Sequence, residues 1–396
     1  MYNKNMHALG SHRSVIREIF EYSKKRAAEI GEENVFDFSL GNPSVEPPRA
    51  VTETLIDLLQ NEAPMALHGY TSAQGDANVR RAIADKVARE HGFALSPDLI
   101  YMTCGAAASL TISLRALLCE KDEVVLLAPF FTEYRVFVEN AGGVPVISEP
   151  RRPDLQIDLA DLAKRITPRT RAVIVNSPNN PSGVVYTKET LTGLCELLKE
   201  RSAAFGAPIY LIADEPYREL VYDGVEVPYL MSYYENTIVC YSWSKALSLP
   251  GDRIGYVAVH PAMANATDVY AAVCGAGRSL GYVCAPSLFQ HLITRTIDVS
   301  VDMTPYKENR DLLYNALCAY GYECVRPDGA FYLFVRTPCE DATAFCERAK
   351  RHELLVVPCD DFGVSGYIRI AYCVPRTRIE RALPAFRALL NEYKNA

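Results

Sequence analysis

The sequence predicts an α/β fold: a large domain with a mainly parallel sheet sandwiched by helices, joined to a smaller α+β domain. Three observations carry this. The chain has 396 residues, enough for two or three domains at ~100–200 residues each. Through its middle, short apolar β-branched runs alternate with longer helical patterns, as the βα units of a parallel sheet require. After Pro305 the pattern changes to helices mixed with isolated strands, the signature of a smaller α+β unit.

In chain order, a helix is expected over roughly Val15 to Ile30, then an apolar run Phe36–Leu40 and the breaker cluster Gly41-Asn42-Pro43. Strands follow at Glu123–Leu127, Ala172–Val175, Pro208–Ala213, Thr237–Tyr241 and Ile254–Val259. Helical patterns fall between or after them at Ala107–Cys119, Thr132–Ala141, Lys188–Ala204 and Pro286–Val299. The final part reads as a helix Pro305–Tyr320, a strand near Phe331–Val335, a helix Ala342–Arg351, a strand Tyr367–Tyr372 and a helix Arg376–Tyr393. The expected division is 1–45 as an N-terminal arm with part of the small domain, 46–290 as the large domain and 291–396 as the small C-terminal domain.

Composition excludes several functions. Apolar residues make up 49% and charged residues 22%, an ordinary globular mixture. The net charge of −7 offers no broad field for nucleic acid or anionic lipid, so any phosphate must be held locally. No apolar run reaches the ~18–20 residues of a membrane span, and Met1–Gly10 is polar, with no signal core. A cytoplasmic protein is expected. Its 12 cysteines lack Cys-x-x-Cys spacing and sit in apolar runs, as at Cys119, Cys195, Cys240 and Cys318; buried reduced thiols are expected, and no metal site.

The strongest chemical signal is Ser242-Trp243-Ser244-Lys245, followed by Arg253 in Pro250-Gly251-Asp252-Arg253. A lysine just past a buried strand, flanked by hydroxyls and an arginine, suits a phosphate-bearing aldehyde: the amine condenses with the aldehyde while Ser242 and Arg253 hold the phosphate. The alternative is an exposed loop lysine. Asp214, ending the apolar run Leu211-Ile212-Ala213, needs a cation if it is buried, and a pyridinium nitrogen would be one; otherwise it caps a helix.

In Asn176-Ser177-Pro178-Asn179-Asn180-Pro181-Ser182-Gly183, two prolines fix the direction of Asn180, whose amide could bond a ring oxygen together with the Tyr217 phenol. A simple turn is the plainer reading. Gly105-Ala106-Ala107, opening a helix through small residues, offers free N–H groups to a phosphate, or serves close packing. Phe131, two residues beyond Pro129, can stack on a planar ring or belong to the core.

Together these segments resemble the class I and II aminotransferases, fold-type-I pyridoxal-phosphate enzymes of the aspartate aminotransferase kind. The resemblance runs in order from Gly41-Asn42-Pro43 through Tyr70-Thr71-x-x-x-Gly75, Gly105-Ala106-Ala107, Pro129-x-Phe131-x-x-Tyr134, Asn176 to Gly183, Asp214-Glu215-x-Tyr217 and Ser242-x-Ser244-Lys245 to Tyr367-Ile368-Arg369-Ile370-Ala371. It implies pyridoxal 5'-phosphate linked to Lys245, with Asp214 on the ring nitrogen, Asn180 and Tyr217 on the ring oxygen, and Phe131 on the ring face. Gly105, Ala106, Ala107, Ser242, Ser244 and Arg253 would surround the phosphate. The resemblance further implies a homodimer in which Tyr70 reaches the neighbouring site, and 46–290 becomes the cofactor-binding domain. Arg369 would grip the substrate carboxylate, with Gly41 and Asn180 beside it. Phe131 stands where many members carry Tyr or Trp, and Ala107 where some offer a hydroxyl.

The implied reaction is ping-pong transamination between an L-amino acid and a 2-oxo acid. A C–S β-lyase on the same fold is the alternative, since function on a shared fold is set by site details. A DNA-binding regulator would need a basic reading domain, for which the stretch before Gly41 has no room. Arg278, in Gly275-Ala276-Gly277-Arg278-Ser279, would pair a distal substrate carboxylate across the dimer, or be a surface loop arginine.

Overall fold

The computed structural model describes residues 1–11 and 15–395. A two-residue strand β1 (Phe36–Asp37) precedes the central sheet, formed by β2 (Ile100–Thr103), β3 (Glu123–Leu127), β4 (Val144–Ser148), β5 (Thr170–Asn176), β6 (Tyr210–Asp214), β7 (Thr237–Ser242) and β8 (Gly255–Val259). Their order is β2-β8-β7-β6-β5-β3-β4; the pairings among β3 to β7 are parallel, and β8 runs antiparallel to both neighbours. β3 and β7 are buried at every position, as strands covered by helices on both faces must be. The expected mixed α/β architecture with a mainly parallel sheet is what the chain forms.

The C-terminal part adds β9 (Glu323–Val325), β10 (Tyr332–Arg336), β11 (Leu354–Leu355), β12 (Val357–Pro358) and β13 (Tyr367–Ala371). Four of these make an antiparallel sheet ordered β12-β13-β10-β9, while β11 pairs in parallel with β1. A separate apolar cluster, including Tyr306, Leu313, Phe345, Ile370 and Phe386, lies between this sheet and its helices.

Strand cores fell where the apolar runs placed them, but ends and amphipathic pieces did not. β5 begins at Thr170 and reaches Asn176. β4 was not expected because, as the edge strand, it is only partly buried and carries a proline. Helices Arg49–Asn61 and Ala77–His91 were also unassigned. The stretch Gly275–Ser279, read as turn-like, is instead the last turn of the helix Ala266–Ser279. Its glycine serves close packing, since a Cβ on Gly277 would lie 2.3 Å from the Tyr101 hydroxyl. All 12 cysteines are free; Cys195 and Cys240 are buried as expected, whereas Cys119 and Cys318 are exposed. No helix among the described residues is long and apolar enough to cross a membrane.

Candidate active site

The C-terminal ends of β5, β6 and β7 lie side by side, and each ends in a polar residue: Asn176, Asp214 and Ser242. In open α/β sheets this edge is where a ligand crevice forms. Here a cavity of about 370 Å³ opens, and its lining includes Gly41, Ala106, Ala107, Phe131, Asn180, Asp214, Tyr217, Ser242, Ser244, Lys245, Arg253 and Arg369. Residues spread over the whole chain are thus brought to one place. A larger cavity of about 660 Å³, between the C-terminal sheet and the end of the last helix, is lined by Glu323, Arg336 and Lys394 among others. None of the described unpartnered buried polar atoms lines it, so the chemistry belongs to the smaller cavity.

Lys245 sits in the single-turn helix Trp243–Ala246 directly after β7, and its Nζ donates to the Gly41 carbonyl at 2.8 Å. Removal from water, with Arg253 and Arg369 nearby, lowers its pKa to about 8, so a useful fraction is a neutral amine near physiological pH. Asp214 is 5% exposed. Its Oδ2 accepts from the Tyr134 hydroxyl and, at 3.4 Å, from Asn176 Nδ2, while Oδ1 has no partner. Burial raises its pKa to about 7, the Tyr134 bond acting in the opposite direction. A buried carboxylate with neutral donors on one oxygen and nothing on the other is completed by a cation.

The anion end is built at the helix Ala106–Leu117. Its N-cap Gly105 has φ 90° and no side-chain cap, leaving the first N–H groups free. A Cβ on Gly105 would lie 2.9 Å from Arg253 Nη2, and one on Gly255 would lie 2.9 Å from Gly105 Cα. Both glycines are therefore required for the arginine, strand and helix end to converge. Ser242 Oγ donates to Ser244 Oγ at 3.2 Å beside this cradle.

The opposite wall comes from β13. Arg369, 2% exposed, donates from Nη1 to Asn180 Oδ1 at 3.1 Å and from Nη2 to the Ser39 carbonyl at 2.5 Å, and its Nε has no partner. A buried guanidinium bonded only to neutral groups fits an incoming carboxylate. Asn180 is itself oriented by Asn176, whose Oδ1 accepts from the Asn180 backbone N–H at 2.7 Å.

Gly105 stands next to the lining residues at the helix start. Tyr70, 96% exposed, and Arg278, exposed at the end of its helix, lie outside the cavity of their own chain. Two lining tyrosines had no assigned role: Tyr134, three residues after Phe131 and visible only as part of a motif, and Tyr332, which the sequence marked merely as strand. Arg17 of the helix Val15–Ile30 also lines the mouth, without an ion pair to any described residue. No group of three or more metal-ligating side chains is found among the described residues.

A family profile described as aminotransferase class I and II matches residues 33–386. The chain belongs to that family. The aspartate/prephenate aminotransferase of Thermus thermophilus is 31% identical to this aminotransferase over 357 residues, covering 88% of this chain and 89% of the relative. An aspartate aminotransferase of Thermotoga maritima is 29% identical over 383 residues, 95% of this chain and 97% of that one. Among solved structures, an aminotransferase from Eubacterium rectale superposes with a TM-score of 0.98 at 53% identity, covering 99% of both chains. The Thermus thermophilus aspartate aminotransferase with maleate superposes at 0.86 with 27% identity, covering 98% of this chain and 100% of that one.

Proposed function

We propose that this aminotransferase moves an amino group from an L-amino acid to a 2-oxo acid in a ping-pong cycle, with pyridoxal 5'-phosphate held in the cavity. The observation that carries the reading is the coincidence, in one cavity, of an unpaired buried carboxylate oxygen on Asp214, a partly neutral Lys245 amine and the open anion cradle at Gly105 and Arg253. When bound, the cofactor supplies an aldehyde that can link to an amine and a cationic ring that withdraws electrons from the substrate's α-carbon.

Each group of the protein has a place in that scheme. Gly105, Ala106 and Ala107 offer N–H groups to the phosphate, with Ser242, Ser244 and Arg253 around it and Tyr70 contributed by a partner subunit in a homodimer. Asp214 pairs with the ring nitrogen, which keeps that nitrogen protonated and ends the frustration of Oδ1. Phe131 covers a ring face, and Asn180 and Tyr217 bond the ring oxygen. Lys245 Nζ would hold the cofactor and, when free of it, would take and return the α-proton, its burial favouring the neutral amine. Arg369 grips the α-carboxylate beside Gly41 and Asn180 and so fixes which substrate face meets Lys245.

The relatives compared above are named for transamination, and those acting on aspartate point to a dicarboxylic donor. A second cation is then needed, and Arg278 of the partner subunit is our assignment for it; a selective fall in kcat/KM for glutamate over an apolar donor in Arg278→Ala, by on the order of tenfold, is expected. The reaction itself is tested by supplying amino acid and 2-oxo acid and measuring the new amino acid alongside ammonia. Transamination yields the new amino acid with no ammonia. Release of a thiol, pyruvate and ammonia from a donor bearing a β-sulfur substituent, with no 2-oxo acid supplied, would return the C–S β-lyase reading.

A further inference from the structure

Tyr332 opens strand β10 and is 2% exposed, yet it lines the active-site cavity. Its hydroxyl lies 2.9 Å from the Tyr217 hydroxyl, and the two rings meet edge-on at 5.9 Å and 79°. The face of the same ring lies 4.7 Å beneath the Arg369 guanidinium. The hydroxyl also occupies the space where residue 41 would carry a side chain: a Cβ on Gly41 would sit 2.0 Å from it. Gly41 in turn supplies the carbonyl that receives Lys245 Nζ. One side chain of the C-terminal sheet therefore touches the supports of three reacting elements.

We propose that Tyr332 is a positioning residue that orients Tyr217 through its hydroxyl and Arg369 through its ring face. The proposal rests on the cofactor reading above. Tyr217 has a single proton, and if it donates that proton to the cofactor's ring oxygen it has only lone pairs left for Tyr332, which must then donate. Burial pushes both phenols above their ordinary range, so each keeps its proton. In such a chain each bond strengthens the next. The ring acts separately. A guanidinium that awaits a carboxylate cannot be held by an acid without being neutralised, and an aromatic face holds it while leaving Nε unpartnered.

The two contacts separate by substitution. Tyr332→Phe keeps the ring and removes the hydroxyl. Tyr217 becomes a weaker donor, more negative charge stays on the ring oxygen, and that oxygen holds the neighbouring proton of the lysine-linked nitrogen more firmly. The pH midpoint of the bound cofactor's visible absorbance should therefore rise by about half a unit, with KM for the amino donor changed by less than about twofold.

Tyr332→Leu, with Tyr332→Met as a second variant of similar size, removes the face under Arg369. KM for the donor should rise on the order of tenfold, and more than kcat falls. A midpoint in Tyr332→Phe equal to that of the parent overturns the hydroxyl role, and an unchanged KM in the folded aliphatic variants overturns the ring role. A parent enzyme with no visible band after addition of pyridoxal 5'-phosphate would overturn the cofactor reading, and a visible band that does not titrate would overturn the hydroxyl role.

Discussion

Asp214 and Glu215 are consecutive acids at the end of one strand, and both are buried, at 5% and 2% exposure. They have opposite surroundings. Asp214 faces the cavity with Oδ1 unpaired and only neutral donors on Oδ2. Glu215 turns to the other side and forms an ion pair with buried Arg218. There Arg218 also lies 4.5 Å over the Tyr229 ring and donates to His91 Nε2 at 3.0 Å. An acid whose counter-cation is built into the fold is structural; one whose cation is missing awaits a ligand. On both sides burial holds a titratable group uncharged, an acid on one and a base on the other. Burial raises Asp214 to about 7, and burial with Arg218 and Lys86 nearby lowers His91 to about 4.

The sharpest way to break this contrast is to delete the amine that shares the cavity with Asp214. Lys245→Ala should lose turnover by several orders of magnitude, because the nucleophile and the proton carrier vanish together. Borohydride reduction of the wild type should fix cofactor on the peptide carrying Lys245, and labelling of any other lysine would refute the assignment. Next comes Asp214→Asn, which keeps shape and removes charge. A fall in kcat of at least about a thousandfold with cofactor saturating is expected, since the ring nitrogen loses the partner that keeps it protonated. An Asp214→Asn enzyme with normal kcat would make Asp214 as structural as Glu215.

This contrast was half legible in the sequence. Asp214 stood out as a carboxylate ending an apolar strand, and Lys245 and Asn180 stood out because hydroxyls or prolines flanked them within a few residues. Local spacing reports such features. Glu215, one residue on, carried no comparable signal, because its partner Arg218 acquires meaning only through Tyr229 and His91, which the fold brings from elsewhere. Tyr332 escaped for the same reason: alternation marks it as strand, and nothing nearby shows that Gly41, Tyr217 and Arg369 gather round it. Arg278 was misplaced in local structure because Gly277, which serves helix packing on Tyr101, looks with Gly275 like a turn residue.

The structural side predicts a different loss. Glu215→Gln removes the ion-pair partner of buried Arg218 and leaves it only the neighbouring Glu219 carboxyl, which costs up to about 3 kcal/mol. Denaturant unfolding should show it as a lower midpoint, while kcat of the folded enzyme stays within a few-fold of the parent. A kcat collapse without a change in stability would move Glu215 to the catalytic side.

The smallest effect concerns pH and the cofactor-free protein, where the two sides pull in opposite directions. Asp214 is raised from 3.8 to about 7, so between these values the folded state binds more protons than the unfolded state, and stability falls as pH rises through the window. His91 is lowered from 6.5 to about 4, so there the folded state binds fewer protons, and stability is lost as pH falls. Over pH 4 to 6.5 the slopes partly cancel, each being worth no more than a few kcal/mol. Melting temperatures across this range should therefore separate the sides. Relative to the parent, Asp214→Asn should gain stability with rising pH, and His91→Gln should lose it. Restoring the cofactor should abolish the Asp214 slope, because a bound cation lets the carboxylate ionise at lower pH, while leaving the His91 slope in place. Parallel shifts in both variants would mean that the carboxylate is already paired within the protein, and the contrast between the neighbouring acids would fail.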